Sequence, residues 1–505
     1  MSQSQSRWGR VRRRRRVDER GVALILVLGA ITVLTVFLTQ LQEETSSELA
    51  AALSERDALK AEYFARSAVN LARLLIATEP EITKSVAPLL TLLNPKGGTP
   101  QIPVWEFTDL VLGPFNDSVG AQSFLSTIGG DPLSAKNIGI AGGGRFELSI
   151  VDEDAKINLN LAAQNATKYS DRLALQLLGL MAPPMYDELF NGRDADGQFT
   201  DRVAICSALV DWADSENNGN EIQYACQPQS SNYVPTGPED NFYQTIGLAY
   251  QRKNAAFDSL EEVRLVRGIS DDFWANFIDP EPENPKKRIM TVWGQERLNI
   301  NAANAQTLLG FVCGQSFAQP PELCTDPTQM QAFIMGVTLG KSMTFGMPLF
   351  GSAQNFVDMM AGKGPLGTVL TTLQVKPVTF KSTKDVSSAI ALKSRRFSIY
   401  ADGIVPGYKR TTKVRIHAVV DFRQAGALGP SGATQIWGGQ AAANAMAAAA
   451  NPPPPGSQAA AAAPPSSSSS SSSSSGSQAA TDPVSQALAQ TYSNPAGTVI
   501  YWRVE

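Results

Sequence analysis

Histidine is nearly absent: His417 stands alone in 505 residues. One imidazole excludes a His-rich metal centre and a histidine relay elsewhere in the chain, and its neighbours Val414, Ile416, Ala418 and Val420 alternate as in an ordinary strand. Cysteine is scarce as well, with Cys206, Cys226, Cys313 and Cys324 alone. None forms a C-x-x-C pair, so zinc and thioredoxin-like chemistry are poorly supported, whereas an even number in loop-rich surroundings fits disulfides of an oxidising compartment. Four cysteines permit three pairings; Cys206 with Cys226 and Cys313 with Cys324 is the simplest. Basic charge is missing from the body. The first twenty residues hold eight Arg against Asp18 and Glu19, and without them the formal net charge of −4 becomes about −10. An acidic body repels phosphate backbones, which speaks against nucleic acid as a partner.

Present at the N-terminus is a basic run, R-V-R-R-R-R-R over residues 10–16, followed by an uncharged stretch from Val22 to Gln42 that is almost wholly apolar to Leu38. About twenty such residues span a bilayer as a helix, and the Arg cluster holds the N-terminus on the cytoplasmic side. A cleavable signal peptide would need small residues just after the apolar run, but Thr39–Glu44 has no A-x-A pattern. The helical pattern instead continues, with Leu49, Leu53, Phe64, Ala68, Leu71 and Leu75 near helical spacing and no proline before Pro80. One helix from Val22 to about Ala77 would be roughly 80 Å long.

Residues 80–144 read as helices and loops. Arg145–Val151 alternates like a half-buried strand and leads into Asp152-Glu153-Asp154-Ala155-Lys156. From Ala162 to Gln306 the pattern is largely helical, with helices at Leu173–Leu180 and Arg202–Trp212. Ser259 and Glu262 form a capping box, Gly268 stops that helix, and Ser270 caps the next. Leu298-Asn299-Ile300-Asn301 echoes Ile157-Asn158-Leu159-Asn160, which we read as two similar strand-to-helix junctions and not as a repeat architecture. Near the end, Arg396–Ala401 and Lys413–Phe422 alternate as antiparallel strands joined by residues 402–407. Ala425–Asn494, with its Pro, Ala and Ser runs, cannot bury enough apolar surface to offset ordering and is expected to be a flexible surface loop before a last strand near the C-terminus.

The N-terminus resembles that of type IV pilins and pseudopilins, in which a prepilin peptidase cuts after a glycine preceding the apolar stretch and the new N-terminus is methylated. The matching bond is Gly21–Val22. The assembly glutamate that most members carry five residues into the mature helix is replaced by Leu26, as in the K-type minor pseudopilin of type II secretion. Further motifs stand in that family's order: I-V-D-E-D-A-K-I-N-L-N from Ile150, L-V-D-W-A-D from Leu209, P-E-D-N-F-Y from Pro238, D-S-L-E-E-V-R-L-V-R-G from Asp258 and L-N-I-N-A-A from Leu298. The resemblance covers residues 10–310 and the terminal strands. It implies an α+β fold: a long N-terminal helix packed on an antiparallel β-sheet, with a large, mainly α-helical domain inserted. The expected division is a basic leader 1–21, the helix 22–78, a first part of the body 79–160, the inserted helical domain 161–310, the rest of the insert and the sheet 311–424, the flexible insert 425–494 and a final strand 495–505.

Hard oxygen donors crowd the loop that begins at Asp211, although its spacing is not that of an EF-hand. The resembled family binds structural calcium in its inserted domain. Carried over, the ligands are Asp211, Asp214, Glu216, Asn218, Glu221, Glu239 and Asp240, with the loop Arg193–Gly197 a weaker candidate. The resemblance also implies the setting: a single-pass protein of the bacterial inner membrane with its bulk in the periplasm. Its partners would be the I- and J-type minor pseudopilins, the prepilin peptidase, the inner-membrane secretion platform and exported proteins. It would be non-catalytic and would sit at the pseudopilus tip, since nothing could stack above a bulky insert. Other readings are a minor pilin of a related filament, an anchored enzyme using Asp152, Glu153 and Asp154 or the 211–221 loop, and a DNA receptor with a turn at Leu265–Ile269. Crowded, exposed acids do not separate acid and base roles, and Glu261, Glu262, Asp271 and Asp272 repel phosphate at that turn.

Overall fold

The computed structural model describes residues 20–93, 101–108, 143–164, 167–193, 200–214, 226, 243–426 (save 245, 283, 317–318, 345 and 408–409) and 495–505. Helix α1 spans Arg20–Leu93, 74 residues without a break. It therefore passes Pro80 and corrects the expected end near Ala77. Proline at 80 has no N–H for the Ile76 carbonyl, a defect costing about 3 kcal/mol in a helix interior. Tertiary contacts offset it: Ile76, Ala77, Glu79 and Thr83 on both sides of Pro80 are buried, and Thr83 bonds Glu79 while its oxygen accepts the Ile102 N–H.

The body is a four-stranded antiparallel sheet of β1 (Arg145–Asp152), β6 (Arg396–Pro406), β7 (Thr411–Asp421) and β8 (Thr498–Val504), in the order β1-β6-β7-β8. Phe146, Ile150, Phe397, Ile399, Ala401, Ile416, Ala418 and Val420 share one face and form a core with Ala65, Ala68, Val69 and Ala72 of α1. That alanine-rich helix face brings the backbones close together. A Cβ on Gly403 would lie 1.8 Å from the Ala61 carbonyl oxygen, so only glycine fits there. This is why Asp402-Gly403 sits inside β6, not in the turn that the sequence suggested. The Asp402 carboxylate is held across the strands by Arg415 at 2.6 and 2.8 Å and by Lys413 at 2.8 Å.

Residues 153–395 leave the sheet after β1 and return at β6. This insert has two halves with separate cores. The first opens on β2 (Ile157–Asn158), continues through α2 (Thr167–Met181) and α3 (Arg202–Ala213), and closes on β3 (Met290–Thr291), which pairs parallel with β2. The second opens on β4 (Leu298–Asn299), continues through α4 (Ala305–Gln315), α5 (Pro327–Met343), α6 (Ala353–Met360), α7 (Gly364–Thr372) and α8 (Thr383–Ala389), and closes on β5 (Ile390–Ala391), parallel to β4. The Asn-x-Asn echo marks two similar strand-to-helix junctions, as the sequence suggested, and each opens one half of the insert. In the first, the Asn160 side chain donates to the Phe257 carbonyl at 3.0 Å and accepts the Phe257 N–H at 2.7 Å. In the second, Asn301 does the same to Phe350, at 3.0 and 2.8 Å.

Helices α2 and α4 cross tightly: a Cβ on Gly314 would meet the Leu175 carbonyl oxygen at 2.1 Å. Each half holds one disulfide, Cys206–Cys226 and Cys313–Cys324. The segment after Ser259 is a 3-10 helix, Leu260–Leu265, and Ser259 makes no side-chain cap; Glu262 instead accepts the Asp258 N–H at 2.8 Å. Gly268, with φ of 80°, follows this helix, and the Ser270 hydroxyl caps the next turn at the Phe273 N–H, 3.0 Å away. The leader residues 1–19 and the compositionally biased segment 427–494 lie outside the described residues.

Candidate functional site

Two features separate this fold from a plain sheet-and-helix domain: the bare first part of α1 and the joint that carries the insert. From Leu24 to Leu41 the large apolar side chains of α1 are all exposed, Leu26 at 68%. Among the described residues this is the one helix long and apolar enough to cross a membrane. Its hydroxyls suit hydrocarbon, because Thr32 donates to the Gly29 carbonyl, Thr35 to Ile31 and Thr39 to Val36. Gly21 and Val22, the expected cleavage bond, lie in the first turn of the helix.

The joint is built from Asp152, Glu153 and Asp154 at the end of β1 and from Ser394–Arg396 at the start of β6. Ser394 is 1% exposed and sits at its centre. Its N–H donates to Gln101 Oε1 at 2.6 Å, and its carbonyl accepts Gln101 Nε2 at 3.2 Å. Gln101 in turn donates to Glu79 of α1 at 3.0 Å. The Ser394 hydroxyl makes a short hydrogen bond with Asp152 Oδ2 and accepts Asn299 Nδ2 at 2.6 Å. Helix, sheet and the second half of the insert therefore meet on one serine. The segment linking the two halves joins through Asp154, whose carboxylate accepts the Gln295 N–H at 2.8 Å, with the Arg395 N–H at 2.6 Å and the Arg396 N–H at 3.1 Å from the returning chain. Glu153 accepts the Thr291 hydroxyl and pairs with Lys156 at 3.4 Å.

The three acids are buried, which corrects the expectation of crowded, exposed carboxylates: the chain turns under the insert at this point, and the backbone of the returning segment supplies their donors. Burial and the neighbouring Asp154 push Asp152 well above the usual carboxylate range, while burial raises Asp154 to about 6 against the pull of its backbone donors. Glu153 is held down, against the cost of burial, by Lys156 and its hydroxyl donors. Nothing in the sequence around Gln101 or Ser394 marked them; both act through partners far away in the chain.

A cleft of about 230 Å³ lies between the other face of the sheet and the first half of the insert, lined among others by Glu153, Glu261, Arg288, Tyr400, His417 and Tyr501. His417 is a strand residue, as expected. It stacks on Tyr400 at 4.2 Å with the rings 9° apart, and its buried Nε2 has no hydrogen-bond partner. Burial lowers its pKa to about 4, so it is neutral at pH 7.

Of the expected calcium ligands, Asp211 lies in the last turn of α3 and is ion-paired with Arg252, and Asp214 is the buried C-cap of the same helix. Glu216, Asn218, Glu221, Glu239 and Asp240 lie outside the described residues, as does most of the loop Arg193–Gly197. Among the described residues no three His, Cys, Asp or Glu side chains gather as a metal site. The Cys206–Cys226 bridge ties the chain just beyond the acidic loop back onto α3.

No family model matches the chain, and no curated protein matches it. Among solved structures, the chain is similar to a chain of the GspK-GspI-GspJ complex of the Type 2 Secretion System from enterotoxigenic Escherichia coli. The identity is 15% and the TM-score 0.33, over 56% of this chain and 76% of that one.

Proposed function

We propose that this chain is a minor pseudopilin of the K type in a type II protein secretion system, anchored in the inner membrane by α1 and non-catalytic. The observation that carries the reading is the combination of a bare apolar helix, continuous with the core of a four-stranded antiparallel sheet, and a large helical insert between β1 and β6. A free apolar helix of that length suits lateral packing in a membrane or a filament, and the sheet holds the insert at the far end from it. Leu26, where the assembly glutamate would stand, and the bulk of the insert suit a subunit that starts the filament and caps its tip. In this reading the prepilin peptidase cuts at Gly21–Val22 and Val22 is N-methylated. I- and J-type minor pseudopilins pack beside α1, the inner-membrane platform receives the complex, and exported proteins meet the insert. Structural calcium would be held by Asp211, Asp214, Glu216, Asn218 and Glu221 with Glu239 and Asp240, hard oxygen donors of the kind that calcium prefers.

The test is to express the full chain with and without an active prepilin peptidase and to read the N-terminus by mass spectrometry. N-methylated Val22 with the apolar helix retained is the expected result. Removal of the whole apolar segment, or an uncut chain beside active peptidase, would overturn the reading.

A further inference from the structure

The joint contains a carboxyl group whose surroundings suit it better neutral than charged. Asp152 is 7% exposed and has no ion-pair partner among the described residues. On its own turn it faces Asp154 and Glu153, both acidic, and Lys156, which is committed to Glu153. From β6 come Arg395 and Arg396, whose backbone N–H groups go to Asp154, while the Arg396 guanidinium pairs with Asp421 at 3.1 Å. From α5 comes Lys341, which bonds the Ala303 carbonyl and feels both Asp152 and Glu106. From α1 comes Glu79, linked to Ser394 through Gln101. Asp154 has three backbone donors for its negative charge. Asp152 has one, the Asp154 N–H at 2.9 Å, plus the Ser394 hydroxyl.

Two adjacent buried carboxylates cannot both ionise cheaply, and the proton belongs on the one with fewer donors. The Ser394 hydroxyl donates to Asp152 Oδ2 when that carboxylate is charged; with a proton on Oδ2 the same bond would reverse, and Ser394 Oγ would accept from Asp152 as it accepts from Asn299. We propose that Asp152 keeps its proton in the folded chain well above the pH at which a free carboxyl group loses it, and that this proton latches the insert to the body, so that the joint loosens as pH rises and the proton is lost. The latch would make the orientation of the insert on α1 sensitive to the acidity of its surroundings.

The experiment is local hydrogen exchange on the full chain in detergent micelles, read by mass spectrometry on peptides covering residues 293–297 and 393–397 from pH 4.5 to 8.5 and corrected for intrinsic rates. In the wild type the opening constant should rise with pH by up to about tenfold per unit until Asp152 has lost its proton, then level off. Asp152→Asn, which is neutral at every pH and keeps an acceptor oxygen, should stay protected at high pH with a flatter profile. Asp154→Asn should lose protection at every pH. A flat wild-type profile overturns the proposal without reference to any variant. So does an Asp152→Asn profile as steep as that of the wild type, or an Asp152→Asn protein as open as Asp154→Asn.

Discussion

Asn301 holds Phe350 by both of its backbone groups, donating to the carbonyl at 3.0 Å and accepting the N–H at 2.8 Å, across 49 residues of chain. The pairing closes the second half of the insert and reproduces the hold of Asn160 on Phe257 in the first. Asn301→Ala leaves one N–H and one C=O of a buried segment without partners, at about 1–3 kcal/mol for each group. We expect a loss of about 2–4 kcal/mol in the unfolding of the second half, followed by the fluorescence of probes placed in each core during denaturant titration. Because the halves have separate cores, the first half should shift much less. Asn160→Ala should give the mirror result, and equal shifts in both halves for either variant would show the insert to be one cooperative unit.

That relationship also shows where reading the chain alone succeeds and where it stops. The apolar run after the arginines, the alternation of Arg145–Val151, the cap at Ser270 and the stop at Gly268 are local patterns, and local patterns survive folding. Pro80 and Asp402-Gly403 are local patterns as well, yet both misled. Burial of Glu79 and Thr83 carries the helix through the proline, and the Ala61 carbonyl, together with Arg415, turns a turn-like dipeptide into strand. The twofold build of the insert was half visible as an Asn-x-Asn echo, but the partners that give it meaning, Phe257 and Phe350, lie 97 and 49 residues downstream. Ser394 and Gln101 carried no signal at all, since a buried polar hub needs only ordinary side chains in the right place.

The only imidazole in the chain allows a direct titration. His417 is kept neutral by burial, with a pKa of about 4, below the ordinary value of 6.5 that it regains on unfolding. The unfolded chain therefore takes up a proton first as pH falls, and stability is lost between pH 6.5 and about 4, on the order of 3 kcal/mol in total. The imidazole resonances in a nitrogen-15 spectrum, free of overlap from any other histidine, should stay those of the neutral ring down to about pH 5. His417→Phe, which keeps a ring against Tyr400, should flatten the corresponding part of the stability profile. A His417 that titrates near 6.5 in the folded protein would show the cleft to be wetter than its geometry implies.

Calcium, if bound by the loop after α3, acts on the folded chain alone and must raise its stability by mass action, by about 2.7 kcal/mol at a hundredfold excess over the dissociation constant. The expected outcome is a thermal midpoint that rises with added calcium and falls with chelator, while magnesium has little effect because it demands near-ideal octahedral geometry and sheds its waters reluctantly. Glu216→Gln and Glu221→Gln should each weaken the response, whereas Glu322→Gln, paired with Lys376 in the second half, should leave it unchanged. No shift with calcium at millimolar concentration would remove the metal from the account and leave the acidic loop as solvated chain.

Gly403 gives the sharpest steric test of how α1 is mounted. Its missing side chain lets β6 press against the helix, and an added Cβ would lie 1.8 Å from the Ala61 carbonyl oxygen, a backbone atom that cannot swing aside. Gly403→Ala must therefore push the helix off the sheet or bend the strand. Either movement opens the core between Ala65, Ala68 and Ile399. We expect a loss of more than about 3 kcal/mol, with the body unfolding before the insert, as for other overpacked sites at the severe end of the range. The opposite change on the helix discriminates between steric and other causes. Ala61→Gly leaves the carbonyl in place and costs only about 1 kcal/mol of helix propensity, so it should not rescue Gly403→Ala. A Gly403→Ala protein as stable as the wild type would mean that α1 and β6 stand further apart in solution, and the proposed continuity between membrane helix and sheet would lose its tightest contact.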